Sequence, residues 1–139
     1  MEARTLSRTE MKIDSEEDVV LVRRRVRELA QEQRFDTFAV AAVTTAASEL
    51  TRNVWVHAKS GKATVEVVVD GNQRMGLRIT FADQGPGIPD LELVMRGGYS
   101  TARSMGLGLS GSKRLADEFS IDTRVGSGTV ITFVKWKAF

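Results

Sequence analysis

Glu49 and Asn53 stand one helical turn apart in a segment with helical patterning, so a carboxylate and an amide oxygen project from the same face. Both are ligand types that Mg2+ accepts when it keeps some of its waters and bridges to phosphates. The same pair also occurs on solvated helix faces, so it decides nothing alone. A second cluster, Asp83-Gln84-Gly85-Pro86-Gly87-Ile88-Pro89, follows an apolar strand pattern, and its glycines and prolines impose an unusual backbone path. Gly85 and Gly87 would let a flat ligand approach the chain, and Asp83 can accept a hydrogen bond from an exocyclic amine. A rigid turn capped by an aspartate is the other reading.

A third cluster, Gly106-Leu107-Gly108-Leu109-Ser110-Gly111, matches the spacing of a dinucleotide-binding fingerprint. Its context excludes that reading, because Arg96 to Met105 is not strand-like and the helix that follows leads into a hairpin rather than a βαβ unit. A P-loop is excluded too, since Gly-Ser-Lys stands where Gly-Lys followed by Ser or Thr is required. The His-Arg-Asp and Asp-Phe-Gly signatures of eukaryotic-type protein kinases are missing. What remains is a glycine-rich loop feeding free helix amides, a ready site for the phosphates of a nucleotide. A fourth cluster, Gly126-Ser127-Gly128-Thr129, is explained by a hairpin turn when taken alone.

These residues must be positioned by the elements around them. Thr5 to Ile13 alternates loosely and suits a strand. Ser15-Glu16-Glu17-Asp18 reads as a helix N-terminus with Ser15 as cap, and Val19, Val22, Val26, Leu29 and Ala30 recur at helical spacing up to about Gln33. A second helix starts near Asp36 or Thr37 and runs to about Ala58, with Val40, Val43, Ala47, Leu50 and Val54 as its buried stripe. Thr64 to Val69 and Leu77 to Phe81 form a hairpin across Asp70-Gly71-Asn72. Leu91 to Met95 suits a short helix, Arg96 to Met105 a loop, and Leu107 to Phe119 a helix. Ser120 to Val125 and Thr129 to Trp136 close the chain as a second hairpin. Helices and hairpins come in separate groups, which predicts a two-layer α/β (α+β) sandwich, its mostly antiparallel sheet covered by helices on one face.

Bulk properties narrow the function classes. A chain of 139 residues that is 42% hydrophobic suits one domain with a buried core, and no apolar run approaches the roughly 18 residues of a membrane span. Without a signal-peptide pattern, a cytoplasmic location is expected, with no membrane partner. Cysteine is absent and His57 is the single histidine, which disfavours a zinc site and points to a hard ion on oxygen ligands. The net charge of +2 comes from intermixed acids and bases, so no nucleic-acid partner is expected. Arg23-Arg24-Arg25 with Arg27 reads as a solvated helix face or an edge for a protein partner, with phosphate contacts as the other reading.

The order of the four clusters carries more than any one of them. Glu-x-x-x-Asn on a helix, strand-end Asp-x-Gly-x-Gly-Ile, Gly-x-Gly-Leu and Gly-x-Gly-Thr resemble the Bergerat (GHKL) ATP-binding superfamily of gyrase, histidine kinases and MutL. Within it the chain is similar to the serine/threonine switch kinases of the bacterial stressosome. Ser48-Glu49-Leu50 with Arg52-Asn53, Asp83 to Asp90, Lys113-Arg-Leu with Asp117-Glu-Phe119, and Lys135-Trp136 carry that likeness. Related anti-sigma-factor kinases usually have Asn-Ala where Asn53-Val54 stands, and lack the arginine before the asparagine.

The resemblance implies a single Bergerat-type domain over 1–139, with a mixed sheet, that binds ATP and Mg2+. Asn53 would bind the metal, Glu49 would be the general base, and Asp83 would read the adenine amine. Gly85 and Gly87 would shape the adenine pocket together with Ile88, and Thr129 would support its adenine side. Gly106, Leu107, Gly108 and Leu109 would wrap the phosphates in a lid starting near Gly97, with Arg52 and Thr101 also at the nucleotide. Ser104 departs from the pattern, standing where the family often has a further lid glycine. The implied activity is phosphorylation of serine or threonine on a STAS-domain protein in a partner-switching pathway. A PP2C-type phosphatase is the implied partner once the kinase is freed. An anti-sigma-factor kinase and a non-catalytic ATP-binding scaffold are the alternatives.

Overall fold

The computed structural model of the chain describes residues 3–95 and 100–138. β1 (Arg4–Ile13) leads into two helices, α1 (Glu17–Glu32) and α2 (Thr37–Ala58), followed by the hairpin of β2 (Gly61–Val69) and β3 (Met75–Asp83). A short α3 (Leu91–Met95) and a longer α4 (Ser100–Leu115) precede the closing hairpin of β4 (Glu118–Arg124) and β5 (Gly128–Trp136). The sheet order is β1-β2-β3-β5-β4, and every neighbouring pair is antiparallel. The expected mixed sheet is therefore corrected. Every connection between neighbouring strands reverses the chain, including β3 to β5, which passes through α3, α4 and β4.

Strand alternation selects the inner face. Ala63, Val65 and Val67 on β2, Leu77, Ile79 and Phe81 on β3, and Ile131 and Phe133 on β5 are buried in one cluster with the apolar stripes of the helices. From α2 that stripe is Val43, Ala47, Leu50 and Val54, and from α1 it is Val22, Val26, Leu29 and Ala30. The opposite face of the sheet carries polar residues such as Glu66 and Arg78, joined by a hydrogen bond of 3.0 Å. This is the two-layer arrangement that the grouping of elements predicts. Among the described residues, no helix is long and apolar enough to cross a membrane.

Three local expectations change. The residue preceding α1 is Glu16, without a side-chain cap, and Ser15 does not cap the helix; Asp18 reaches back so that its Oδ2 accepts the Asp14 N–H at 2.9 Å. This bond holds the Asp18 carboxyl below the usual carboxylate range. Asp36 does cap α2, accepting the Ala39 N–H at 2.8 Å. Lys59 ends that helix in the left-handed conformation at φ 65°.

The other two changes concern α4. It starts at Ser100, where a loop is expected, and ends at Leu115, so Phe119 lies in a strand. Asp117 makes that switch: its N–H donates to Val134 O at 2.9 Å while its Oδ2 accepts the Trp136 N–H at 2.7 Å, drawing the chain onto the sheet edge. The early start places Gly106 to Leu109 in the interior of the helix instead of at its expected N-terminus.

Candidate nucleotide site

The sheet register brings two of the motifs together. Asp83, at the end of β3, pairs with Thr129 on β5, and Thr129 pairs with Thr123 on β4. Asp83 and Thr129 follow Phe81 and Ile131 in the inward alternation, so the last inner-face row of the sheet is polar where the preceding rows are apolar. Thr123 Oγ1 accepts the Ile88 N–H at 2.9 Å and lies 2.8 Å from Thr129 Oγ1, which ties the loop after β3 to the final hairpin.

Glycine is required at two of these positions. Gly87 has φ +78° and Gly128 φ +108°, in the region that side chains disfavour. A side chain at Gly128 would also strike the Asp83 carbonyl oxygen, and one at Gly87 the Arg124 carbonyl oxygen. Gly85 lies against Ala58 of α2, where a Cβ would come within 2.6 Å of the alanine methyl. These glycines are therefore explained by the close approach of chain to chain. The sequence-based explanation, approach of a flat ligand, is replaced at Gly85, which does not line the pocket, whereas Gly87 does.

That pocket lies between the C-terminal half of α2 and the sheet. Asn53 and His57 come from α2, Asp83, Gly87 and Ile88 from β3 and its loop, Leu109 from α4, and Thr129 from β5. Its walls are the apolar side chains of Leu50, Val54, Phe81 and Ile131. One Asp83 oxygen, Oδ1, accepts the Gly85 N–H at 2.9 Å, which fixes the carboxylate at the pocket floor. The cavity holds about 30 Å3, room for a water or two.

α4 accounts for that small volume. Gly108 packs directly against α2, where a Cβ would sit 3.2 Å from Asn53 Nδ2 and 3.4 Å from Glu49 Oε2. A side chain there would need Asn53 to give way by a few tenths of an ångström. Asn53 Nδ2 is buried there with no hydrogen-bond partner among the described residues, an uncompensated polar group at the pocket's edge. Glu49 lies outside the pocket lining, and its Oε1 is 4.0 Å from Arg52 Nη1, with both side chains partly exposed.

The structure thus gathers Asn53, Asp83, Gly87, Ile88, Leu109 and Thr129 around one cavity and sets Glu49 and Gly108 beside its edge. Arg52 and Gly85 stay outside the lining. Gly97 lies outside the described residues, and of Thr101, Gly106 and Leu107 only the helical backbone is described. The expected loop with free amides for phosphates is corrected, because amides within a helix are already engaged.

Two residues escaped the sequence reading. His57, expected to be only a helix-end residue, lines the pocket, and burial pushes its imidazole below the usual range, with the Lys59 charge adding to this and Asp83 opposing it. Its spacing from Asn53, one further helical turn, is the signal that pointed there. Thr123 is the other, visible only once the strands are in register.

A polar-floored pocket between a helix bearing Glu and Asn and the end of an antiparallel sheet is the arrangement of a Bergerat-type ATP-binding domain. The chain belongs to the histidine kinase-like ATPase domain family, whose pattern it matches over residues 14–135. Within that family it falls with the serine/threonine-protein kinases: it is 45% identical to the serine/threonine-protein kinase RsbT of Bacillus subtilis over 126 residues, covering 91% of this chain and 94% of that protein. It is also 28% identical to the anti-sigma F factor of Thermoanaerobacter sp. (strain X514) over 103 residues, covering 70% of each. Among solved structures, the RsbU and RsbW domains of Rv1364c from Mycobacterium tuberculosis share its fold with a TM-score of 0.64 at 20% identity, covering 95% of this chain and 33% of that one. ATP is the nucleotide of this family.

Proposed function

We propose that this kinase transfers the γ-phosphoryl group of ATP to a serine or threonine of a STAS-domain protein in a partner-switching pathway, and that the released kinase activates a PP2C-type phosphatase. The observation that carries the reading is the placement of Glu49 and Asn53 at the edge of a pocket whose floor is Asp83 and Thr129. Base recognition and phosphoryl chemistry need such opposite ends. We take residues 1–139 as one domain, since a single core cluster joins its helices to its sheet.

In this reading Asp83 accepts a hydrogen bond from the adenine amine, and Thr129, oriented by Thr123, supports the base. Ile88, Val54 and Ile131 supply apolar surface for the ring. Glu49 takes the proton of the attacking hydroxyl, and its partial exposure leaves it accessible to an incoming side chain. Asn53 provides the protein oxygen for Mg2+. Among the described residues no group of acidic or histidine side chains could hold a metal without help, which fits an ion carried mainly by phosphate oxygens. When bound, that ion would offset the charge of the phosphates.

Because the cavity admits only a water or two, nucleotide entry requires α4 to move away from Asn53. Its glycines make that movement inexpensive: each costs a helix about 1 kcal/mol relative to alanine. Gly106, Leu107, Gly108 and Leu109, once released from the helix, can present amides to phosphates, with Gly97 and Thr101 nearby in sequence, and Arg52 next to Asn53, as further contacts.

The test is transfer of label from γ-labelled Mg-ATP to a STAS-domain protein encoded beside this chain, with wild type and Glu49→Gln compared. Labelling on serine or threonine that disappears in the variant supports the reading. ATP binding without transfer to that protein, or stable capture of a sigma factor in its place, refutes it.

A further inference from the structure

The N-terminal half of α2 carries an apolar feature that neither the core nor the nucleotide site uses. Phe38, in the first turn of the helix, is 90% exposed. It borders a groove of about 490 Å3 with Ala42 and Thr45 in its α2 wall, closed on the far side by Leu115 at the end of α4 and by Lys135 of β5. An aromatic ring left in water at the rim of an alanine-lined groove is the pattern of a binding surface.

The α4 side of the rim is cationic. Arg114 lies on it, and its described contact is a long hydrogen bond of 3.4 Å from Nε to the Ser110 carbonyl; no carboxylate pairs with it among the described residues. Lys113 beside it is exposed, and Lys135 is 3.6 Å from Asp117. The acid on the α2 side, Asp36, is engaged in capping the helix. The groove thus offers apolar walls and, on its α4 side, positive charge.

Its position relates it to the chemistry. At about 1.5 Å rise per residue, Ala42 lies on the order of 10 Å along α2 from Glu49. The opposite wall is α4, the helix whose Gly108 packs on Glu49 and Asn53. We propose that this groove docks the phosphoacceptor protein through an acidic segment bearing an apolar anchor, so that the acceptor is held on the kinase at a distance from the transferring atoms. The inference rests on the kinase reading above, and it adds a recognition surface outside the nucleotide pocket.

Initial rates of labelling of the adjacent-encoded STAS-domain protein test it, with Phe38→Ser, Ala42→Glu and Arg114→Glu compared with wild type. Each variant is expected to raise the KM for the acceptor at least tenfold while kcat at saturating acceptor and the affinity for ATP stay within twofold. Arg114→Glu should also flatten the rise of KM with salt between 50 and 300 mM, a range over which exposed charge pairs are increasingly screened. Phe38→Ser replaces an exposed side chain, so it keeps the test valid if Ala42→Glu fails to fold. Acceptor KM values within twofold of wild type for Phe38→Ser and Arg114→Glu would overturn the proposal. So would sedimentation showing that wild type dimerises and Phe38→Ser does not, with KM unchanged, because the groove would then join copies of the chain. If wild type binds ATP but labels no acceptor, the kinase reading itself fails, and the docking proposal with it.

Discussion

Asp83→Asn isolates the base-recognition step better than any other change at the site. Because Asp83 Oδ1 accepts the Gly85 N–H at 2.9 Å, an asparagine would use its only oxygen to keep that turn. Its NH2 group would then face the pocket and meet the adenine amine donor to donor. The variant thus loses a hydrogen bond to a charged acceptor, worth about 1.5–3 kcal/mol, and gains a repulsive contact. That corresponds to a loss of roughly 10- to 150-fold in ATP affinity at least. Isothermal titration with ATP and GTP is the assay. GTP presents an acceptor where ATP presents the amine, so its affinity should fall less or rise. A melting temperature near wild type would show that the turn survived. ATP affinity within threefold of wild type would refute the assignment of Asp83, and with it the orientation of nucleotide in the pocket.

Other perturbations probe separate parts of the argument. Glu49→Gln should bind ATP as wild type does and lose about 10²- to 10⁴-fold in phosphoryl transfer, as loss of a general base predicts, in single-turnover labelling. Gly128→Ala forces a methyl against the Asp83 carbonyl at a positive φ of 108°, and should lower stability by more than about 1 kcal/mol in urea unfolding while weakening ATP binding, because the same clash displaces Asp83. Phe81→Ala, at a side chain 1% exposed that serves both core and pocket wall, should cost about 3–5 kcal/mol in the same assay. Hydrogen bonding from Arg78 holds the Glu66 carboxyl below its ordinary 4.5, so its contribution to stability is present above that value and is lost as pH falls through the lower folded value. Unfolding midpoints of wild type and Glu66→Gln should therefore differ at pH 7 and converge as the pH is lowered below 4.

Much of the architecture follows from periodicity that a sequence displays openly. The β-branched alternation of Thr64 to Val69 and the apolar spacing through α2 define their elements because burial acts on one face at a time. The order of the Glu-Asn, Asp-Gly, Gly-Leu and Gly-Thr clusters is enough to indicate an ATP-binding kinase fold. The start of α2 was legible because a strong local acceptor, Asp36, makes it. At α1 the helix starts one residue beyond the expected serine cap, and the side-chain bond at that end runs from Asp14 N–H to Asp18 instead.

Tertiary structure decided what local pattern leaves open. The pairing of Asp83 with Thr129 and Thr123 depends on the register of strands distant in sequence, which no local period encodes. His57 became a pocket residue because α2 lies over that end of the sheet. The glycine-rich segment, a weak helix former by propensity, lies inside a longer helix because burying Leu109 and packing Gly108 against α2 are rewards available only after the fold is assembled. Residue types and spacing determined what chemistry the chain can attempt, while long-range packing decided which side chains meet and how far the pocket is open.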